Sequence, residues 1–154
     1  MTVNLTGLTP ATYRGTIVVT AATLAGSPLT ITVTLTLAAR PILLITSTAL
    51  VPGGGGLRFT AVPGQNPAVQ SLAISNGGGS TLEWTATAST TRGGAWLSVT
   101  PDRGAGNATL QVSVGASSLA PGAYEGSLII TAPGAANSPA TIAVALTVGL
   151  PVLL

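Results

Sequence analysis

The three acidic residues are the first candidates for catalysis in this chain of 154 residues: Glu83, Asp102 and Glu125. Hydrolysis of a glycosidic bond needs two carboxylates about 5–10 Å apart, one of them acting as a general acid. Asp102, in the sequence TPDRG, is more simply explained as a turn residue beside Arg103. The sequence therefore predicts no catalytic pair of acids.

Nucleophilic and metal-assisted chemistry also lacks its usual residues. The chain contains no Cys, His or Lys, so no evident base can activate one of its many Ser and Thr hydroxyls. The usual ligands of zinc, iron and copper are absent too, and calcium needs more carboxylates than this chain offers. The segment VPGGGGLRF lacks the lysine and the helix of a phosphate-binding loop. We expect no enzymatic activity, no cofactor and no metal site.

The charge distribution argues against nucleic acid and membrane partners. Charged residues make up 5% of the chain, against roughly 25% in an ordinary soluble domain. The five basic residues are scattered, whereas nucleic-acid binding needs clustered cations. There is no run of about 18 apolar residues for a membrane helix, and the opening MTVNLTGLTP does not resemble a signal peptide. The basic residues are Arg14, Arg40, Arg58, Arg92 and Arg103.

Two tryptophans are the candidate ligand contacts, because an exposed indole ring can stack on the apolar face of a sugar. Trp96 opens an apolar strand after a Gly-Gly turn, and Trp84 shares its strand parity with Leu82 and Ala86. Both patterns favour positions in the core. If Trp84 instead faced outward, it and Arg92 could border a shallow carbohydrate site.

Period-two alternation dominates the rest of the sequence. In LTITVTLTL, Leu and Ile or Val at odd positions alternate with Thr at even positions, as in a strand with one buried face. Similar segments recur at 42–50, 57–62, 68–75, 82–89, 96–100, 108–114, 124–132 and 141–148, separated by Gly- and Pro-rich turns. Short strands at this spacing predict an all-β, immunoglobulin-like antiparallel β-sandwich.

An internal repeat divides the chain. Residues 8–37 align without gaps to residues 119–148, and 14 of 30 positions are identical. The offset of 111 residues suits an immunoglobulin-like domain of roughly 100 residues. We therefore predict a C-terminal two-strand hairpin of a preceding unit at 1–38, a complete sandwich at 39–149, and the first strand of a following unit at 150–154.

Two segments of the complete unit resemble the BACON-like domains, an immunoglobulin-like family of bacterial surface and secreted proteins. The segment 93–114 is similar to the family pattern W-L-x-V-x-P-x-x-G, and 119–148 is similar to Pro-Gly-x-Tyr-x-Gly-x-Ile. The resemblance implies a sandwich fold. It also implies a role as a spacer in long proteins or, as the family name suggests, in carbohydrate binding. It supplies no fixed set of binding residues.

Tyr124 and its counterpart Tyr13 are expected to be structural. Each resembles a tyrosine corner, in which the ring packs inside and the hydroxyl bonds to backbone near a turn. We also expect Ile31, Val33 and Leu35 of the first copy to be buried. In the second copy the residues expected in the core are Leu128, Ile130, Ile142, Val144 and Leu146.

Three functional hypotheses remain open at this point. The chain is a structural or adhesive repeat module outside a bacterial cell, a carbohydrate-binding module, or a subunit of an extracellular filament. A lone hairpin is marginal in water, so residues 8–37 predict association with another copy or with a neighbouring repeat unit. That hairpin would replace its homologue or extend a sheet edge.

Overall fold

The computed structural model describes residues 2–23, 25–50 and 56–150, and the structure in these ranges is all-β, as predicted. The chain divides into two compact units, residues 1–39 and residues 40–154. The division lies one residue from the expected boundary. No helix that could cross a membrane occurs in the described ranges. The sequence PVLL, expected to open another unit, lies outside the described residues, as do residues 51–55 of the Gly-rich loop.

The first unit is a single antiparallel hairpin of β1 (Ala11–Val19) and β2 (Leu29–Leu37). Ala11 lies opposite Leu37, and Val19 lies opposite Leu29. The expected burial of its apolar face is wrong, because Ile31 is 46% exposed and Val33 and Leu35 are only half-buried. The physical reason is that the sheet contains these two strands alone among the described residues, so no second layer covers the face.

The second unit, which we call the sandwich, has nine strands in two sheets within its described residues. They are β3 (Leu43–Thr46), β4 (Leu57–Ala61), β5 (Gln70–Asn76), β6 (Glu83–Thr90), β7 (Leu97–Thr100), β8 (Arg103–Ala105), β9 (Ala108–Val114), β10 (Gly122–Thr131) and β11 (Ala140–Val148). One sheet has the order β4-β11-β10-β6-β8, and the other has the order β3-β5-β9-β7.

One strand pairing departs from the predicted antiparallel arrangement. Strand β4 runs parallel to β11, with Leu57 beside Val144 and Ala61 beside Val148. The other neighbouring strands of the two sheets pair antiparallel. Alternation along a strand fixes which side chains face inward, but it is the same for both directions of pairing. The sequence pattern therefore could not reveal the parallel pair.

The inward faces of the two sheets form the core. Leu128, Ile130, Val144 and Leu146 are buried as predicted, whereas Ile142 is half-buried. On β11 the opposite, exposed face carries Thr141, Ala143 and Thr147. The largest fully buried side chains are Leu57, Leu72, Ile74, Leu82, Leu110, Leu128, Ile130, Leu146, Val112 and Val144.

Strand β8 and the roles of three asparagines were not predicted from the sequence. The segment PDRGAGN has turn composition, yet Arg103–Ala105 pairs with β6. Asn66 Oδ1 accepts hydrogen bonds from the backbone N–H groups of Ala116 (2.8 Å) and Ser117 (2.9 Å), which ties two distant loops together. Asn76 Oδ1 likewise accepts from the backbone N–H of Ile42 at 3.1 Å, and Asn107 Oδ1 accepts from the backbone N–H of Asn76 at 3.0 Å.

Candidate functional site

Trp96 and Tyr124 form a packed aromatic corner at one end of the sandwich. Trp96 is 4% exposed, and its indole Nε1 donates to the Arg92 carbonyl oxygen at 2.9 Å. The two ring centroids lie 6.4 Å apart with an interplanar angle of 70°, the edge-to-face arrangement that aromatic pairs prefer. Both polar and apolar parts of the indole are therefore engaged within the protein, and no ring face is open for stacking on a sugar.

Arg92 covers the outside of this corner. Its guanidinium carbon lies 5.0 Å from the Tyr124 ring centroid, and its Nη2 donates to the Ala123 carbonyl oxygen. A guanidinium over an aromatic face is attracted by the ring quadrupole. Arg92 therefore makes a cation–π contact with Tyr124, although Arg92 itself is exposed to solvent.

The tyrosine hydroxyls make the backbone bonds that a tyrosine corner requires. Tyr124 donates to the Ala120 carbonyl oxygen at 2.8 Å, and Tyr13 donates to the Thr9 carbonyl oxygen at 2.8 Å. In each case the acceptor lies four residues before the tyrosine. The geometry is thus the same in both copies of the repeat, although only Tyr124 is buried.

Trp84 lies in a different part of the same sheet. It is 3% exposed, and its Nε1 donates to the Gly106 carbonyl oxygen at 3.1 Å. A Cβ built on Gly104, which pairs with Trp84 across β6 and β8, would lie 2.5 Å from Trp84 Cζ2. The ring therefore packs closely against β8 at a position that has no side chain.

The hypothetical site shared by Trp84 and Arg92 does not form. Trp84 lies near the start of β6, whereas Arg92 follows the end of that strand and contacts the Tyr124 ring. Instead, a shallow depression of about 300 Å³ lies over Trp84. Its lining residues are Glu83, Trp84, Thr85, Arg103, Gly104 and Pro133. Nothing in the sequence pattern indicates this depression, because the pairing of β6 with β8 is what brings Glu83 and Arg103 together.

The depression has a simple chemical character. Its lining is mainly apolar and includes one acidic and one basic residue, Glu83 and Arg103, both exposed. Asp102 forms an exposed ion pair with Arg103, with Oδ1 and Nε 3.4 Å apart. No group of three or more acidic residues that could hold a metal ion is found in the described ranges.

A family model described as viral BACON domain matches residues 52–145, which is more than half of the chain. The match includes Trp84, Trp96 and Tyr124. The chain belongs to the viral BACON domain family. The resemblance of 93–114 and 119–148 to BACON-like domains is thereby confirmed at the level of the domain. No curated protein matches this BACON chain.

Solved structures show the same fold at low sequence identity. The ASH/PapD-like domain of human CEP192 is 12% identical, with a TM-score of 0.56, and the match covers 73% of this chain and 89% of that one. A family 123 glycoside hydrolase from Clostridium perfringens is 12% identical, with a TM-score of 0.51 and coverage of 71% and 27%. These likenesses show the fold alone, which is the predicted immunoglobulin-like β-sandwich.

The similar enzymes are much longer than this BACON chain. A Bacteroides ovatus GH5 xyloglucanase, solved in complex with a XXXG heptasaccharide, is 15% identical with a TM-score of 0.48. The match covers 69% of this chain but 19% of that enzyme. The chain thus spans about a fifth of the xyloglucanase and about a quarter of the Clostridium perfringens enzyme.

Proposed function

We propose that this chain is a non-catalytic structural module of an exposed repeat protein, secreted or held on the surface of a bacterial cell or virus particle. The observation that carries the proposal is the second copy of the β10–β11 hairpin at residues 8–37. The two hairpins have the same register at every pair, with Ala11 opposite Leu37 where Gly122 lies opposite Val148. Repetition of a whole structural element at a domain-sized period is typical of tandem arrays.

The surface chemistry supports a passive role. The outward faces of the strands carry mainly Thr, Ser and Ala, so the module stays hydrated with very few charges. Both tryptophans are enclosed, and the three acids lie on the exposed surface without a common site. The proposal includes adhesion between units, because residues 8–37 carry the two strands that close a sandwich.

Surface labelling tests this proposal. Antibodies raised against residues 40–150 should label intact producing cells or particles without permeabilisation, and should detect the protein in the medium if it is secreted. Signal that appears only after permeabilisation would contradict an exposed location. Incubation with polysaccharides should release no new reducing ends, since the proposed module does not hydrolyse them.

Carbohydrate binding is the second candidate, favoured by the depression over Trp84, whose mainly apolar lining includes the charged residues Glu83 and Arg103. Titration with bacterial and plant polysaccharides, followed by Trp fluorescence, distinguishes the two functions. A structural module gives no change. Saturable quenching that is lost in Glu83→Ala or Arg103→Ala, but kept in the matched control Arg58→Ala on another strand, would establish the depression as a binding site.

A further inference from the structure

The apolar face of the N-terminal hairpin (residues 8–37) is exposed, whereas the same face of β10–β11 is covered. Val19 is 51% exposed, and its counterpart Ile130 is fully buried. In β10–β11 the cover consists of β6 on the edge of β10, β4 on the edge of β11, and the opposite sheet across the core. We call strands β3–β9 the body of the sandwich.

Gly15 indicates what the N-terminal hairpin is shaped to meet. Its counterpart Gly126 lies where the body comes very close: a Cβ there would be 2.7 Å from the Ser89 carbonyl oxygen and 3.3 Å from the Trp96 ring. A Cβ on Gly15 would meet no described atom within 4 Å. Glycine inside a strand weakens it and often marks a close approach of another backbone. The hairpin itself has no need of this glycine, but a body of the same kind does.

The remaining details of the two hairpins agree. The inward residues Ile17, Ile31, Val33 and Leu35 stand at the positions of Leu128, Ile142, Val144 and Leu146. The turn is also closed in the same way. The Ala21 N–H donates to Ser27 Oγ at 2.7 Å in the first copy, and the Ala132 N–H donates to Ser138 Oγ at 2.7 Å in the second.

From this agreement we infer that residues 8–37 complete the body of a neighbouring repeat unit, by taking the place of β10–β11 in a body that lacks its own closing hairpin. The inference rests on the proposed function as a repeat module. Exchange between two intact copies is not the favoured form of this contact. Each hairpin that docked on another copy would displace that copy's β10–β11 and expose an equal apolar face, so no net burial would result.

The charges in one row of the outward face indicate which residues the partner body should carry. Arg58, Ala145 and Glu125 form a row across β4, β11 and β10, so opposite charges lie two strand spacings apart, about 10 Å. The counterparts of Ala145 and Glu125 in the N-terminal hairpin are Thr34 and Arg14. Docking on this chain's own type of body would place Arg14 and Arg58 in one row. The natural partner should therefore lack a basic residue at the position of Arg58.

The test uses two full-length chains and exploits the absence of native cysteine. The acceptor carries Gly15→Val and Gly126→Val, so that neither of its own hairpins can close its body, together with Ser89→Cys. The donor is the wild-type chain with Thr16→Cys. Thr16 is the counterpart of Ser127, whose Oγ lies 2.9 Å from Ser89 Oγ in the sandwich. Ser89→Cys with Ser127→Cys in one chain is the geometric control.

Donor and acceptor are refolded together under oxidising conditions and separated on a non-reducing gel. We expect a disulfide-linked heterodimer. Its yield should fall about tenfold or more when the donor also carries Gly15→Val, the effect expected of a side chain forced into a close-packed contact. The matched outward change Thr12→Ala should leave the yield unaltered, and Arg14→Glu should raise it.

A second acceptor controls for the case in which Gly126→Val prevents the body of the acceptor from folding. It carries Gly126→Ala in place of Gly126→Val, a smaller intrusion at the same contact. The inference would be overturned if neither acceptor gave the heterodimer while the control chain with Ser89→Cys and Ser127→Cys formed its disulfide. Equal yields from donors with and without the Gly15→Val change would overturn it as well. Neither result alters the surface labelling or the polysaccharide titration, which test the proposed function separately.

Discussion

Truncation of Leu146 to alanine should strongly destabilise the sandwich, whereas truncation of its counterpart Leu35 should not. Leu146 is 1% exposed in the middle of β11, while Leu35 holds the same place in β2 and is half-buried. The change removes Cγ, Cδ1 and Cδ2, worth about 2.4 kcal/mol at roughly 0.8 kcal/mol for each buried carbon. A residual cavity adds to this cost, and we expect a total of about 3–4 kcal/mol.

Urea unfolding followed by Trp fluorescence measures the difference, because Trp84 and Trp96 both lie in the sandwich. With a slope of about 1.5 kcal/mol per molar urea, Leu146→Ala should lower the midpoint by about 2 M. Leu35→Ala should leave the midpoint unchanged, and so should Thr147→Ala at the exposed neighbouring position, within about 0.5 kcal/mol. If Leu35→Ala were as costly as Leu146→Ala, or if Thr147→Ala were the costlier change in β11, our assignment of covered and uncovered faces would be wrong.

Three further changes test particular contacts. Gly104→Ala should cost about 1–3 kcal/mol and shift the Trp emission, because the new Cβ would collide with Trp84; the same assay with Gly115→Ala, which meets only the Trp96 carbonyl oxygen at 3.8 Å, is the control. Tyr124→Phe should cost about 1 kcal/mol through loss of its bond to backbone, and an equal effect of Tyr13→Phe on the Trp transition would contradict this. Asn66→Ala should cost about 1–3 kcal/mol because two loop N–H groups lose their acceptor, and an unchanged urea midpoint would refute that role.

The strands and their faces were largely predictable, because both follow from local alternation. Segments such as 108–114 and 141–148 correspond closely to β9 (Ala108–Val114) and β11 (Ala140–Val148). Strand β8 was not predictable, since its three residues have turn composition and are held in place by pairing with β6. The parallel β4–β11 pair was equally hidden, because alternation carries no information about strand direction.

The candidate site was predictable only in part. The apolar strand that follows Trp96, and the shared parity of Trp84 with Leu82 and Ala86, predicted core positions, and both rings are buried. The depression over Trp84 depends on which strands become neighbours, and that choice is made by contacts far apart in sequence. The alternative hypothesis of an outward-facing Trp84 named Arg92, whereas the arginine that lines the depression is Arg103. Exposure of the N-terminal hairpin escaped prediction for the same reason, since its strand pattern is nearly that of β10–β11.

The two homologous hairpins, residues 8–37 and β10–β11, differ in whether their apolar face is covered. They share register, turn and tyrosine bond, so their local structure cannot explain why one face is buried and the other is not. The difference comes from the body that covers β10–β11. Gly15 has no Cβ, as a body of this kind requires at the position of Gly126. A glycine inside a strand also lowers the stability of that strand when it stands alone. If residues 8–37 close a neighbouring body as proposed, the binding energy of that contact should lie in strand pairing and apolar burial rather than in the few charges of the chain.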